Sequence, residues 1–232
     1  MMDINKHRSY LYRILKDIYA DLTLGNALGF KGGTALMFFY ELPRFSTDLD
    51  FTLIQKEKEE WVYQKLKTIL LKYGEIYDEA LKFYGPLVVL NYGKGERKLK
   101  VEVSNRNFGD HYEIKNLFGS DIQVMKPADM FAHKLCALLD RTAIANRDIF
   151  DCWFFMERQL PINPHIVEKR MKVSLSEHLE NCIHRLENLV QRNRLQGLGE
   201  LVDKEMKTFV RQKLLKETIG LMNFYKQYPI VK

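Results

Sequence analysis

The sequence predicts an α/β (α+β) fold, with an α/β domain over residues 1–125 and a helical domain over 126–232. Three observations carry this: period-two alternation between residues 48 and 104, helical periodicity almost throughout beyond Lys126-Pro127, and 46% hydrophobic content in 232 residues, ample for a core.

The elements follow in order. Leu11, Ile14, Leu15, Ile18 and Leu22 recur at helical intervals and predict an amphipathic helix ending near Gly25. Beyond Gly32-Gly33 a second helix starts at Thr34 and is stopped by Pro43. Asp48 to Leu53 alternates polar and apolar residues as a half-buried strand does. A charged helix is expected over Lys56 to Lys72. Strand-like segments follow at Glu75 to Phe83, Leu87 to Tyr92 and Lys98 to Ser104, with turns at Gly85-Pro86 and Gly93-Lys94-Gly95-Glu96, so a meander is predicted. In the second half the helices break at Pro161, at Pro164 and around Gly197 and Gly199. Leu198, Leu201, Val202, Met206, Phe209 and Val210 keep helical spacing, as do Ile183, Leu186 and Val190.

Composition narrows the function classes. No apolar run approaches the ~20 residues of a bilayer-spanning helix and the first residues are polar, so a soluble, cytoplasmic chain without a membrane partner is expected. Cys136, Cys152 and Cys182 form no Cys-x-x-Cys pair and read as buried free thiols of a reducing compartment. The histidines show no His-Glu-x-x-His spacing, which argues against zinc. Net charge is +6: residues 1–125 hold 18 Lys+Arg against 17 Asp+Glu, and residues 126–232 hold 18 against 13. A basic surplus in the second half suits a phosphate backbone, or simply a solvated lysine-rich surface.

Asp48 and Asp50, two apart on a strand, project from one face while Leu49, Phe51 and Leu53 face the core. Paired carboxylates suit Mg²⁺, a hard cation that takes carboxylate and phosphate oxygens together; they also suit a solvated strand face. Gly32-Gly33 before a helix lets the backbone approach an anion, or serves as a tight turn, with Lys31 and Arg44 nearby in sequence. Glu102 shares a strand face with Lys98 and Lys100 and is either a third metal carboxylate or a salt-bridge partner. Asn146, Arg147 and Asp148 fit a helix N-terminus with Asn146 as cap, and Asp151 has the i, i+4 spacing to pair with Arg147.

Lys31-Gly32-Gly33-Thr34-Ala35-Leu36 followed by Arg44-Phe45-Ser46-Thr47-Asp48-Leu49-Asp50 resembles the signature of AbiEii-type nucleotidyltransferases, the toxins of bacterial abortive-infection toxin-antitoxin systems. The block from Lys134 to Arg141 and Arg147-Asp148-Ile149-Phe150-Asp151 resembles that family's later motif. The resemblance implies a polymerase-beta-like nucleotidyltransferase core with a mixed sheet and an attached helical domain. It implies transfer of a nucleotide from a nucleoside triphosphate, with Mg²⁺ (or Mn²⁺), to an acceptor, RNA and in particular a transfer RNA 3′ end. A cognate antitoxin would act without a tight complex. Residue by residue, Gly32, Gly33 and Ser46 would fall at the phosphate-cradling turn, Asp48 and Asp50 at the metals, and Lys134 and Asp148 in the later active-site block; by their own places in the sequence Thr34 and Arg44 join the phosphate group and Glu102 is the candidate third metal ligand. Two alternatives stand: a small-molecule nucleotidyltransferase of the antibiotic-modifying kind, and a non-catalytic binding protein on the same fold.

Overall fold

The computed structural model describes residues 2–190 and 193–232, in two compact units. The first comprises Met1–Glu41, Phe45–Asn107 and His111–Met125; the second comprises Leu42–Arg44, Phe108–Asp110 and Lys126–Lys232.

In the first unit, among the described residues, seven strands form one mixed sheet in the order β3-β4-β5-β2-β1-β7-β6. They are β1 (Leu28–Lys31), β2 (Leu49–Leu53), β3 (Glu75–Lys82), β4 (Gly85–Asn91), β5 (Leu99–Ser104), β6 (Tyr112–Leu117) and β7 (Ser120–Met125). β2 pairs parallel with β5 and β1 parallel with β7; the other neighbours are antiparallel, and β3, β4 and β5 form the expected meander. The helices of this unit are α1 (Ile4–Ala20), α2 (Leu22–Ala27), α3 (Gly32–Phe39) and α4 (Glu59–Leu70). Leu11, Ile14, Leu15 and Ile18 of α1 are fully buried, as are Leu49, Phe51 and Leu53 of β2 and Leu99 and Val101 of β5. Burial of one face leaves the other face of β2 and β5 for polar side chains.

The predicted first helix is in fact two. Asp21 adopts an extended conformation, and its carboxylate accepts hydrogen bonds from the Thr23 and Leu24 N–H groups, ending α1 and capping α2, which runs past Gly25 to Ala27. β1 then follows at once.

The second unit holds α5 (Pro127–Asp140), α6 (Asn146–Glu157), α7 (Pro164–Met171), α8 (Leu175–Glu187), α9 (Lys204–Gln212) and α10 (Leu214–Gln227). Pro127 and Pro164 start α5 and α7, where a missing N–H costs nothing. Phe131 and Phe155 stack with centroids 4.9 Å apart, and Tyr225 meets Phe131 edge-on, tying α5, α6 and α10 together. Two expectations fail here. Val190 lies beyond the end of α8 and is exposed, and residues 198–202 form turns, so α9 begins only after Asp203 caps it. Cys136, Cys152 and Cys182 are buried free thiols, each with its pKa pushed up by burial. Among the described residues no helix is long and apolar enough to cross a membrane.

Phe155 is fully buried against Phe131. Phe155→Ala should therefore destabilise the chain by about 3–5 kcal/mol, read as a lower urea midpoint in the transition reported by α5–α10.

Candidate active site

β2 sets the carboxylates. With Leu49, Phe51 and Leu53 buried, Asp48 and Asp50 emerge on the opposite side, each partly exposed. Across the sheet Asp50 stands opposite Lys31 of β1 on one side and Glu102 of β5 on the other, so the three share one row and one face.

Lys100, two residues before Glu102, offsets part of the negative charge on this face. Its Nζ donates to Glu102 Oε2 at 2.7 Å and lies 4.0 Å from Asp48 Oδ2. Burial works against the ammonium, but Asp50, Glu102 and Asp48 outweigh it and hold the Lys100 pKa above the ordinary lysine value. Burial likewise works against the Glu102 carboxylate, and Lys100 more than offsets it. Among the described residues no three His, Cys, Asp or Glu side chains already stand together as a metal-holding group; Glu102 is turned to Lys100.

Asp50 packs closely against a glycine. Gly32 has φ +81°, and a Cβ placed there would come within 2.6 Å of Asp50 Oδ2. Gly32 opens α3, and its N-cap residue Lys31 supplies no side-chain hydrogen bond to the first turn. Asp48 is held through its backbone. The buried Thr34 hydroxyl donates to the Asp48 carbonyl, and His7 Nε2 lies 2.9 Å from the Thr47 carbonyl just before it. A carbonyl only accepts, so Nε2 carries the proton and Nδ1 takes the Tyr92 hydroxyl at 2.6 Å. Sequence reading placed Thr34 among the ligand residues; the structure uses its hydroxyl to position Asp48. It missed His7 and Tyr92 altogether. The one available signal was that His7 continues the apolar stripe of Leu11, Ile14 and Ile18 along α1. Ser46 is buried two residues before Asp48.

A separate charged cluster lies in the second unit. Lys134 of α5 places Nζ 2.7 Å from Asp151 Oδ2 and 3.2 Å from Asp148 Oδ1. Arg44 Nε and Nη2 donate to Asp151 Oδ1 and Oδ2, both at 2.7 Å, in a bidentate pair that is almost wholly buried. Burial would raise the Asp151 pKa and lower that of Lys134. The opposite charges win at both: Arg44 and Lys134 hold Asp151 below its ordinary value, and Asp151 and Asp148 hold Lys134 above its own. Arg141 Nε lies 3.4 Å from Asp148 Oδ2 without hydrogen-bond geometry, and that buried oxygen accepts no hydrogen bond among the described residues.

Three expectations change here. Asp151 pairs with Arg44 and Lys134, and the i, i+4 pairing with Arg147 is superseded. Asn146 does not cap α6; Ala145 occupies that position, and Asn146 Nδ2 donates to the carbonyls of Asn193 and Gln196. The Arg44 guanidinium, expected around the phosphates, is committed to Asp151.

Residues 13–219 match the family described as nucleotidyl transferase AbiEii toxin, type IV toxin-antitoxin system. No curated protein matched. Among solved structures the chain is similar to MenT4, a nucleotidyltransferase toxin from Mycobacterium tuberculosis, at 19% identity over 95% of this chain and 84% of that one, with a TM-score of 0.66. It is also similar to a candidate nucleotidyltransferase from H. pylori (21% identity, 98% and 96% covered, TM-score 0.58) and to JHP933 from Helicobacter pylori (21%, 98% and 93%, 0.56). At these identities the likenesses establish the fold.

Burial lowers the His7 pKa, the Thr47 hydrogen bond opposing it only in part, and burial lowers His178 likewise. The unfolded chain, with histidines near 6.5, therefore takes up protons first as pH falls. Stability is fully present above about pH 6.5 and is lost below it, down to the folded-state pKa, by at most ~1.4 kcal/mol per pH unit for each histidine. His7→Gln should make that acid loss shallower, read as urea midpoints at pH 7 and pH 5.

Proposed function

The chain belongs to the AbiEii nucleotidyltransferase toxin family of type IV toxin-antitoxin systems, and from that premise we propose that it transfers a nucleotide from a nucleoside triphosphate to RNA, specifically a transfer RNA 3′ end, using Mg²⁺ or Mn²⁺ on Asp48 and Asp50. The observation that carries the reading is the pair of carboxylates at the start of β2, Asp50 packed against Gly32 and Asp48, just before the strand, fixed through its backbone by Thr34 and His7. A solvated strand face needs no such immobilisation.

The donors fit the ion. Asp48 and Asp50 offer hard carboxylate oxygens, and the row leaves Glu102 as a third donor once it exchanges Lys100 for a metal. Bound there, the ions would stabilise the attacking and leaving oxygens of the displacement. Around the phosphates, the Gly33 and Thr34 N–H groups of the first turn of α3 meet negative charge, and Ser46 supplies a hydroxyl. We assign to Lys134, kept protonated by Asp151 and Asp148, the charge that develops on the leaving pyrophosphate. Asp148, itself buried, orients Lys134 through Oδ1. Arg44 and Asp151 brace Lys134 in place.

The RNA acceptor is supported by the +6 charge, whose surplus lies in residues 126–232, since a polyanion gains from counterion release where a small acceptor does not. In the same reading a cognate antitoxin acts without a tight complex with this chain.

The test is incubation with each α-labelled nucleoside triphosphate, Mg²⁺ and total cellular RNA. Wild type should label RNA, Asp48→Asn and Asp50→Asn should each lose at least ~10²-fold in rate, and Lys134→Ala should slow turnover with the circular dichroism spectrum unchanged. Label entering a small molecule with RNA left blank would replace this reading with the antibiotic-modifying one. Full activity in both aspartate variants would remove the metal assignment.

A further inference from the structure

Beyond Glu102 the sheet of the first unit continues through β4 and β3, with Glu102 opposite Leu87 and Leu87 opposite Ala80. Lys82, two residues along β3, joins Lys100 in offsetting the burial of the Glu102 carboxylate. The β3–β4 turn that closes this edge is Phe83-Tyr84. Phe83 is 87% exposed and Tyr84 54%, their centroids 5.0 Å apart, and the Arg106 guanidinium sits 4.6 Å from the Tyr84 ring. The cation-on-ring arrangement recurs on the same strand, where Lys98 lies over the exposed Tyr77.

The Phe83 ring is open to solvent and the Tyr84 ring carries Arg106 on it, both on a fixed backbone. The Tyr84 carbonyl accepts from the Asn105 N–H at 3.0 Å and the Phe83 carbonyl from Asn105 Nδ2 at 3.1 Å. Gly85, at φ +113°, presses so closely on the Val103 carbonyl that a Cβ there would lie 2.1 Å from its oxygen. Asn105 is three residues beyond Glu102, about 10 Å along an extended strand. Exposed aromatic faces interleaved with cations, at that distance from the carboxylates, match what single-stranded nucleic acid requires: a π-face for each base and a charge for each phosphate.

We infer that this edge is the track for the acceptor strand, with bases just upstream of the reacting end stacking on Phe83 and Tyr84 while Lys82 and Arg106 meet their phosphates. The inference rests on the RNA reading above and specifies which part of the first unit engages the RNA. Flanking cations favour this occupant over a protein partner, which would call for a wider apolar patch.

The test uses the full chain, a fluorescein-labelled single-stranded oligoribonucleotide of about 12 nucleotides and transfer RNA as acceptor. Phe83→Ala with Tyr84→Ala should raise both the Kd for the oligoribonucleotide and the KM for transfer RNA at least ~10-fold, with kcat at saturating RNA and Mn²⁺ binding retained. Lys82→Gln and Arg106→Gln should each flatten the slope of log K against log salt by about 0.7. If wild type labels RNA while the aromatic double variant matches it in Kd and KM, the track is overturned, with the proposed function intact. If wild type neither binds nor labels RNA, that function fails and the track with it.

Discussion

The contact between Gly32 and Asp50 sets the terms for the first unit. A backbone at φ +81° with no Cβ lets the start of α3 come down onto the carboxylate, where a methyl group would lie 2.6 Å from Oδ2. The missing Cβ leaves room for Asp50 Oδ2 against the start of α3, with Asp50 in a sheet row between Lys31 and Glu102. The glycine thus lets the start of α3 pack directly against the Asp50 carboxylate.

Asp48 shows the complementary solution. Lys100 Nζ lies 4.0 Å from its carboxylate, while the peptide groups around it are gripped by Thr34 from α3 and His7 from α1. Neither Thr34 nor His7 engages a carboxylate oxygen of Asp48, so both set its position through the main chain. In the second unit the same problem is met by charge: Asp151 takes Arg44 in both of its oxygens and still pairs Lys134, so the lysine keeps its proton in a place that burial alone would deny it. Such a network is weak as a source of stability but strong as a means of fixing one ammonium in one position.

Much of this was legible in the residues. Alternation from Asp48 to Leu53 gives the strand and the face of the carboxylates, and the glycine pair before Thr34 gives the helix start, because both are local rules of backbone geometry. What escaped depends on partners distant in sequence or on disguised turns. β1 has only four residues between two helices, too short to show a period. The β6–β7 hairpin turns at Phe118 and Gly119, both with positive φ, and a phenylalanine there hides the usual turn signature. Asp21 looked like one more polar position on a helix until its carboxylate was seen to cap the next one. No spacing rule ties His7 to Thr47 or Arg44 to Asp151, since those contacts exist only once the chain has folded.

The most direct measurement is Mn²⁺ binding, by electron paramagnetic resonance without nucleotide, to wild type and to Gly32→Ala. If the absent Cβ is what keeps Asp50 in place, Gly32→Ala will hold its circular dichroism spectrum yet lose at least ~10-fold in Mn²⁺ affinity, although no metal-binding atom has been removed. Wild-type Mn²⁺ affinity in that variant would contradict the coupling of Gly32 to Asp50.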